Sequence, residues 1–200
     1  MPFAAVLALL ALTLGPPPAA PQSRAVGQPW HGHLVRGVPL PAYGAGFATW
    51  DPIRKHVGNR EWRRWGTRTL VQRVERVLAT YARRHPHAPP VLVGDLSRTH
   101  GGDFGAEFGG LGHASHQNGL DADIYYPRKD RRLRRAARPD QVDHAAAQEL
   151  VNLFLRAGAE YVFVGPHLNL DGPRKVVMPL AHHDDHLHFR LRARLVRESP

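Results

Sequence analysis

Two short segments far apart in the chain concentrate histidine and aspartate. The first, GHASHQNGLDADIYY, covers residues 112–126, and the second, HHDDHLHFRLR, covers residues 182–192. Imidazole nitrogen and carboxylate oxygen are ligands that zinc favours, and a catalytic zinc site combines three protein ligands with a water molecule. Neither segment is complete alone, but the two together predict a metal site.

The second segment predicts a strand with two unlike faces, because alternate side chains of a strand point the same way. The core face carries Leu187, Phe189 and Leu191, and the other face carries His186, His188 and Arg190. Buried imidazoles need polar partners and repel one another when protonated, and a shared metal solves both problems.

The first segment supplies the missing ligands. Alternation places Asp121, Asp123 and Tyr125 on one face, and His113 and His116 stand in the glycine-rich approach to that strand. One histidine and one aspartate from here, with one histidine from 186–188, would form a two-histidine, one-carboxylate site. Bound metal there would lower the pKa of a water to about 7. A neighbouring imidazole could take the proton and deliver it to a leaving amine.

Other chemistries are excluded by residues that the sequence lacks. Cysteine is absent, which removes thiol nucleophiles, thiolate ligands and disulfides. There is also no H-E-x-x-H, G-x-S-x-G, S-x-x-K or phosphate-binding G-x-x-x-x-G-K-[ST] motif.

The net charge of +10 predicts an anionic partner, which could be nucleic acid, lipid or a cell-wall polymer. The basic run at 128–138 has no interleaved aromatic residues and matches no nucleic-acid-binding module, so we do not expect nucleic acid.

Hydrophobic patterning predicts one α+β domain, because helices and short strands follow one another without a regular βαβ period. Helices are expected from Thr67 or Thr69 to the residues before Pro86, and over Asp143–Ala157. Strands are expected at 89–97, 120–127, 160–165 and 187–192, with a weaker one at 174–178. Residues 98–119 form a long loop of the kind that is usually functional or disordered.

The N-terminal 25 residues resemble a secretory signal peptide. An apolar run from Phe3 to Leu14 is too short to span a membrane and is followed by proline and small residues. We therefore predict an exported protein, with no transmembrane helix in the mature chain. Residues 26–57, rich in proline, glycine and alanine, are expected to be a linker and irregular lead-in.

The motifs SHQNGLDAD and HDDHLH together resemble the penicillin-insensitive murein endopeptidases, which are zinc peptidases related to LytM-type enzymes and D-Ala-D-Ala carboxypeptidases. That family pairs H-x-x-x-x-x-x-D with a late H-x-x-H-x-H. His116 and Asp123 stand at the first spacing here, and His183, His186 and His188 stand at the second. The stretches VGDLSRTHGG and WGT also resemble the family, and the likeness extends over about 58–192.

The resemblance implies a role for each of these residues. His116, Asp123 and His188 would hold Zn²⁺, and His186 would be the general base. His183 and His113 would support the site or bind a second metal.

The same resemblance implies a peptidase domain over 58–197, with a small antiparallel sheet, flanking helices and long loops around a zinc cleft. The implied reaction is hydrolysis of D-alanyl–diaminopimelyl cross-links of peptidoglycan. The substrate would be wall peptide, with anionic wall polymers attracted by the basic surface. Such an enzyme would act in the periplasm or at the cell wall. The alternatives are a DD- or LD-carboxypeptidase on the same scaffold and a non-catalytic wall-binding module.

Overall fold

The computed structural model describes residues 22–108 and 113–193, and it confirms the α+β class. It contains two α-helices, α1 (Arg68–Arg84) and α2 (His144–Arg156). Its strands are β1 (Arg24–Gln28), β2 (His31–Val35), β3 (Val38–Pro39), β4 (Tyr43–Gly44), β5 (Phe47–Asp51), β6 (His56–Val57), β7 (Trp65–Gly66), β8 (Val91–Val93), β9 (Asp121–Tyr125), β10 (Ala159–Val164), β11 (Val177–Pro179) and β12 (His186–Leu191). Short 3₁₀ turns cover Glu61–Arg63, Ala106–Phe108 and Pro139–Gln141.

One eight-stranded sheet organises the molecule. Its order is β11-β10-β12-β9-β8-β5-β4, with β6 paired to β5. The pairs β10–β11 and β5–β8 are parallel, and the other pairs are antiparallel. Two small sheets, β1–β2 and β3–β7, lie outside it. The centre of the main sheet is the antiparallel pair β9–β12, which carries the two histidine- and aspartate-rich segments.

Each helix begins with a side-chain cap, at Thr67, one of the two predicted capping residues of the first helix, and at Asp143, which was expected to be the first residue of the second helix. Thr67 caps α1 by accepting a hydrogen bond from the Leu70 amide at 3.2 Å, and Asp143 caps α2 by accepting one from Ala146 at 3.1 Å. The apolar stripe of each helix is buried in the core that also contains the inner face of the sheet. Phe154 of α2, for example, packs against Phe189 of β12 with ring centroids 4.7 Å apart. The helices therefore cover one face of the sheet.

The opposite face of the sheet is largely polar at its centre. Alternation along β9 and β12 is as predicted, because Ile124 and Phe189 lie in the core while Asp123 and His188 are buried on the other side. A small apolar cluster of Ala48, Trp50, Leu92 and Tyr125 borders these polar residues. This face carries the candidate site.

The lead-in is more ordered than expected. Residues 26–57 were predicted to be irregular, but the structure places most of β1 and all of β2–β6 there, and every residue of β5 is buried. The sheet therefore has more strands than a small antiparallel sheet. The pattern of β5 was missed because a strand buried on both faces does not alternate.

The structure describes residues from 22 to 193 and therefore includes neither end of the chain completely. The apolar run of the predicted signal peptide lies outside the described residues. Among the residues that are described, no helix combines the length and apolar character needed to cross a membrane.

Candidate metal centre

The pairing of β9 with β12 brings the two polar segments together. In this antiparallel register His188 stands opposite Asp123, and Arg190 stands opposite Asp121. Directly opposed side chains on one face have Cβ atoms about 4.5–5.5 Å apart, so a histidine and an aspartate meet here at short range. His116 reaches the same point from the loop before β9.

Three ligand-type atoms form a nearly equilateral triangle. His116 Nε2 lies 3.2 Å from His188 Nδ1, and each nitrogen lies 3.2 Å from Asp123 Oδ1. Atoms bound at 2.0–2.2 Å to one tetrahedral zinc lie about 3.3–3.6 Å apart. The observed triangle is therefore close to the size that a single ion requires.

The outer nitrogen of each imidazole is already engaged. His116 Nδ1 lies 2.6 Å from the Leu96 carbonyl oxygen, which can only accept a hydrogen bond, so Nδ1 is the donor. His188 Nε2 lies 3.1 Å from Asp121 Oδ1 and likewise donates. Hydrogen bonds of this kind orient metal-binding histidines and leave the other nitrogen free for a cation.

The centre of the triangle favours positive charge. Asp123 Oδ1 is buried and accepts no well-formed hydrogen bond from any residue that the structure describes. Burial alone would raise the pKa of Asp123, but the facing imidazoles of His116 and His186 lower it well below its ordinary value. An ionised, buried carboxylate oxygen without a donor costs free energy unless a cation compensates it. The residues present therefore fit a metal ion.

The two ring pKa values differ because their neighbours differ. Burial lowers the pKa of His116. Burial has the same tendency at His188, but Asp121 and Asp123 outweigh it and raise the pKa of His188 to about 9. The carboxylates thus draw one positive charge into the triangle.

Asp121 holds both histidines in place. Its Oδ2 accepts the His116 backbone amide at 2.9 Å, while its Oδ1 accepts His188 Nε2 and Arg190 Nε, the latter at 2.7 Å. His116 has a φ of 71°, a left-handed conformation that is uncommon outside glycine. The hydrogen bond from the His116 backbone amide to Asp121 helps to hold this strained backbone, which turns the imidazole over β9.

His113 lies beside the triangle and belongs to a second network. Its Nε2 donates to Asp95 Oδ2 at 2.8 Å, and its Nδ1 is 4.0 Å from Asp123 Oδ2. The ligand-type atoms of His113, His116 and Asp123 all lie within 4.8 Å of one another, so this trio could also hold a metal. The trio that contains His188 is tighter.

Asp95 is held by two hydrogen bonds from a buried arginine. Arg63 Nε donates to Asp95 Oδ1 at 2.7 Å, and its Nη2 donates to Oδ2 at 2.5 Å. Burial alone would raise the pKa of Asp95, but the hydrogen bonds from Arg63 and His113 lower it. Arg63 also donates to the Phe108 carbonyl, so one side chain connects His113 to the preceding loop.

His186 stands at the open side of the triangle. Its Nε2 is 3.8 Å from Asp123 Oδ1, and its Nδ1 lies 2.7 Å from Asp185 Oδ1. Arg135 donates from Nη1 to Asp185 Oδ2 at 2.8 Å. A carboxylate thus orients the ring and leaves Nε2 directed toward the site, as a general base requires.

His183 and His182 lie farther out. The His183 ring is 4.7 Å from that of His186, and its Nδ1 lies 2.8 Å from the Ala181 carbonyl oxygen. Burial and the charge of His186 lower the pKa of His183 to about 4. His182 is exposed, has a φ of 67° and lines the outer cleft, without an evident structural role.

A cavity of about 770 Å³ opens above these residues. His113, His116, Asp123, His183, His186 and His188 all contribute to its walls, together with Trp30, Tyr125, Phe163 and Leu180. Trp30 is 57% exposed and Leu180 is 44% exposed, so the rim is partly apolar. The cavity is large enough for a peptide segment to reach the histidines.

The structure brings all six predicted site residues to one cleft. Sequence patterning did not identify Asp185, Arg135 or Arg63 as parts of the site. Asp185 follows Asp184 in a polar turn, where adjacent side chains cannot be distinguished without coordinates. Arg135 and Arg63 come from distant segments, and only a rule that every buried carboxylate needs a cationic partner could have pointed to such residues.

Comparisons with known proteins identify the family of this chain. The model of the family described as penicillin-insensitive murein endopeptidase matches residues 25–160, which include His116 and Asp123. A protein of Yersinia enterocolitica named penicillin-insensitive murein endopeptidase is 28% identical over 201 residues, covering 88% of this chain and 68% of that relative. Because the family match covers more than half of the chain, the protein belongs to the penicillin-insensitive murein endopeptidase family.

Proposed function

We propose that the protein is a zinc-dependent endopeptidase that hydrolyses the D-alanyl–diaminopimelyl cross-links of peptidoglycan. The observation that carries this proposal is the triangle of His116 Nε2, Asp123 Oδ1 and His188 Nδ1, with sides of 3.2 Å. Two imidazoles and one carboxylate are a ligand set of catalytic zinc. When bound there, zinc would polarise the scissile carbonyl and increase the acidity of a water.

The metal ligands in this proposal are His116, Asp123 and His188. His113 has a supporting role, because its Nε2 is committed to Asp95 and its Nδ1 is 4.0 Å from the nearer Asp123 oxygen. It could take part in a second metal site without changing the first.

His186 is the proposed general base. Its Nε2 accepts a proton from the attacking water as the new carbon–oxygen bond forms. It then returns that proton to the leaving amine as the carbon–nitrogen bond breaks. Asp185 stabilises the imidazolium that forms between these steps, because it is 2.7 Å from Nδ1 and carries negative charge. Arg135 keeps that carboxylate in place.

His183 is proposed to orient the substrate. Its Nδ1 donates to the Ala181 carbonyl, and its low pKa keeps the ring neutral near pH 7. Nε2 can then accept a hydrogen bond from a substrate N–H. This assigns proton transfer to His186 and positioning to His183.

The basic surface supports a wall-associated location. The chain carries a net charge of +10, and exposed arginines of the segment 128–138 adjoin the cleft through Arg135. Such a surface would attract anionic wall polymers. We propose that the protein is exported and acts in the periplasm or at the cell wall.

Metal analysis and digestion of defined muropeptides test this function. We expect about one zinc per chain. Release of monomers from cross-linked dimers should be abolished by a chelator and restored by zinc. Inactivity on dimers combined with cleavage of monomeric pentapeptides would instead identify a carboxypeptidase. Pelleting with sacculi, without zinc and without new amines, would identify a binding module.

A matched pair of histidine variants tests the ligand assignment. His188→Ala should lose both zinc and activity, because it removes one corner of the triangle. His87→Ala, which alters an exposed histidine after α1, should keep both. Full activity of His188→Ala would show that the ligand assignment is wrong.

A further inference from the structure

A second cavity of about 630 Å³ adjoins the metal cleft. Trp30 and Arg190 line both cavities, so the two spaces share a wall. Arg190 lies two residues beyond His188 on β12, which is about 7 Å along a strand. The second cavity therefore begins roughly two residues of extended peptide away from the metal ligands.

The shared wall is connected to the candidate metal site by hydrogen bonds of Gln117. Trp30 occupies the two-residue turn between β1 and β2. The Pro29 carbonyl in that turn accepts the Gln117 amide at 2.9 Å, and Gln117 Oε1 lies 3.3 Å from the Gly32 amide that donates to it. Gln117 directly follows the proposed ligand His116, so the position of Trp30 is coupled to that ligand.

The walls of the second cavity suit a peptide. Tyr161 of β10 is half-buried and supplies an aromatic surface, as Trp30 does on the shared side. Asn118 also lines the cavity and is 1% exposed. Its Nδ2 donates to the Gly27 carbonyl at 3.2 Å, but its Oδ1 is buried and accepts no hydrogen bond from the described residues. A buried acceptor of this kind lacks one N–H donor.

We infer that this cavity is a second substrate subsite, which holds the stem peptide on one side of the scissile bond. The inference rests on the proposed function and specifies the substrate further: a branched peptide long enough to extend past Trp30. Apolar atoms of the stem would cover the aromatic surfaces of Trp30 and Tyr161. The enzyme would then distinguish a cross-linked dimer from a short peptide that fills only the metal cleft.

Binding of two non-hydrolysable analogues to the full chain tests the subsite. In both, a reduced –CH₂–NH– linkage replaces the scissile amide; the long analogue carries both complete stems, and the short one carries only the residues beside that linkage. Tyr161→Leu is the most selective variant, because Tyr161 lines the second cavity and not the cleft. Trp30→Ala alters the shared wall, and Tyr43→Ala is a control at an aromatic residue that is 63% exposed on β4.

We expect Tyr161→Leu and Trp30→Ala to raise the Kd of the long analogue about five- to tenfold, as loss of an aromatic contact of roughly 1–1.5 kcal/mol would. Tyr161→Leu should change the Kd of the short analogue by less than twofold, and Tyr43→Ala should change neither. Equal affinity of the unaltered protein for both analogues, or equal effects of Tyr161→Leu on both, would overturn the subsite and leave the proposed function intact. Failure of both analogues to bind the unaltered protein would contradict the proposed function itself.

Discussion

At the scale of single residues, the site depends on which atom of each side chain faces inward. His116 and His188 use different nitrogens, Nε2 and Nδ1, because the Leu96 carbonyl and Asp121 each engage the other one. Asp121 connects these residues, since it accepts hydrogen bonds from the His116 backbone, the His188 ring and Arg190. Its carboxylate orients both imidazoles from outside the triangle of proposed ligand atoms.

Asp121→Asn should weaken metal binding. The amide has nearly the same shape but lacks the charge that holds His188 and Arg190, and losing such an orienting partner typically costs 10–100-fold in metal affinity. Competition with a chromogenic chelator measures this change. Asp140→Asn, at an exposed aspartate paired with exposed Arg138, is the matched control. Unchanged affinity in Asp121→Asn would show that Asp121 has no orienting role.

Asp185→Asn should slow turnover while leaving the metal bound. Asp185 contacts the proposed base His186 and none of the three proposed ligands, so we expect kcat to fall by about 10²-fold, within the usual range of a general base. The measurements are kcat on a cross-linked dimer and the zinc content of the same preparation.

Variants of two nearby arginines distinguish loss of Asp185 positioning from a general effect of surface charge on kcat. Arg135→Ala should lower kcat less than Asp185→Asn, because Asp185 would still contact His186, and Arg135→Lys should restore part of the loss. Arg138→Ala removes the same charge from an exposed pair nearby and should have no effect. An equal loss in Arg138→Ala would indicate that surface charge, and not positioning, is responsible.

At the scale of elements, the site is a product of one strand pairing and one loop. The antiparallel register of β9 and β12 sets Asp123 against His188, while the loop before β9 carries His113 and His116. The helices contribute indirectly, since they pack against the opposite face and keep this register. Slippage by one residue would turn every polar side chain of β12 into the core.

The N-cap of α1 tests this supporting role. Thr67→Ala removes the hydrogen bond from the Leu70 amide and should lower the free energy of unfolding by about 1 kcal/mol. For a chain of this size, that corresponds to a fall in Tm of roughly 2–4 °C. Thr67→Ser retains the hydroxyl and should lose much less. Equal stability of the alanine and serine variants would mean that the cap contributes nothing.

At the scale of the whole molecule, buried ion pairs connect the lead-in, the sheet and the cleft. Asp51 at the end of β5 accepts Arg60 Nε at 2.7 Å, and Asp95 accepts the fully buried Arg63. Burial alone would raise the pKa of Asp51, but hydrogen bonds from the Arg54 amide and the Arg60 side chain lower it. The pKa of Asp95 is likewise lowered, by hydrogen bonds from Arg63 and His113.

These lowered pKa values predict a loss of stability in acid. A carboxyl group whose folded pKa is below its unfolded value of about 3.9 stabilises the fold fully above that value, and the contribution disappears as pH falls through the folded pKa. The free energy of unfolding should therefore decrease from about pH 5 downward. Urea denaturation between pH 5 and pH 3 measures this decrease.

Asp51→Asn isolates the contribution of one carboxyl group to this pH dependence of stability. The variant should be less stable than the unaltered protein at pH 5. The difference should shrink toward pH 3, because the unfolded Asp51 carboxyl, which has the higher pKa, takes up a proton in this range and so favours unfolding of the unaltered protein. Asp140→Asn, at an exposed aspartate, should show a much smaller difference at either pH. A difference that stays constant with pH would mean that Asp51 does not titrate below its unfolded value in the folded protein.

The sequence by itself determined the α+β class, the two helices, two candidate caps for α1 and the faces of β9 and β12. These features are local, because helical and strand periods and capping residues can be read within a few neighbouring positions. The resemblance of two motifs also placed the chain in its family, as the family match confirms. The two histidine- and aspartate-rich segments predicted a metal site, and the resemblance to the family implied the six individual site residues.

Only the tertiary structure decided how these residues meet. Which nitrogen of each histidine faces Asp123, and which carboxylates hold the imidazoles, depends on contacts such as Asp121–His188, between residues 67 positions apart. In the lead-in, β5 joins the main sheet by pairing with the distant β8, and β3 pairs with the distant β7. HHDDHLH thus reveals which atoms could bind a metal, whereas strand register and buried charge pairs determine which atoms converge, because both depend on long-range packing.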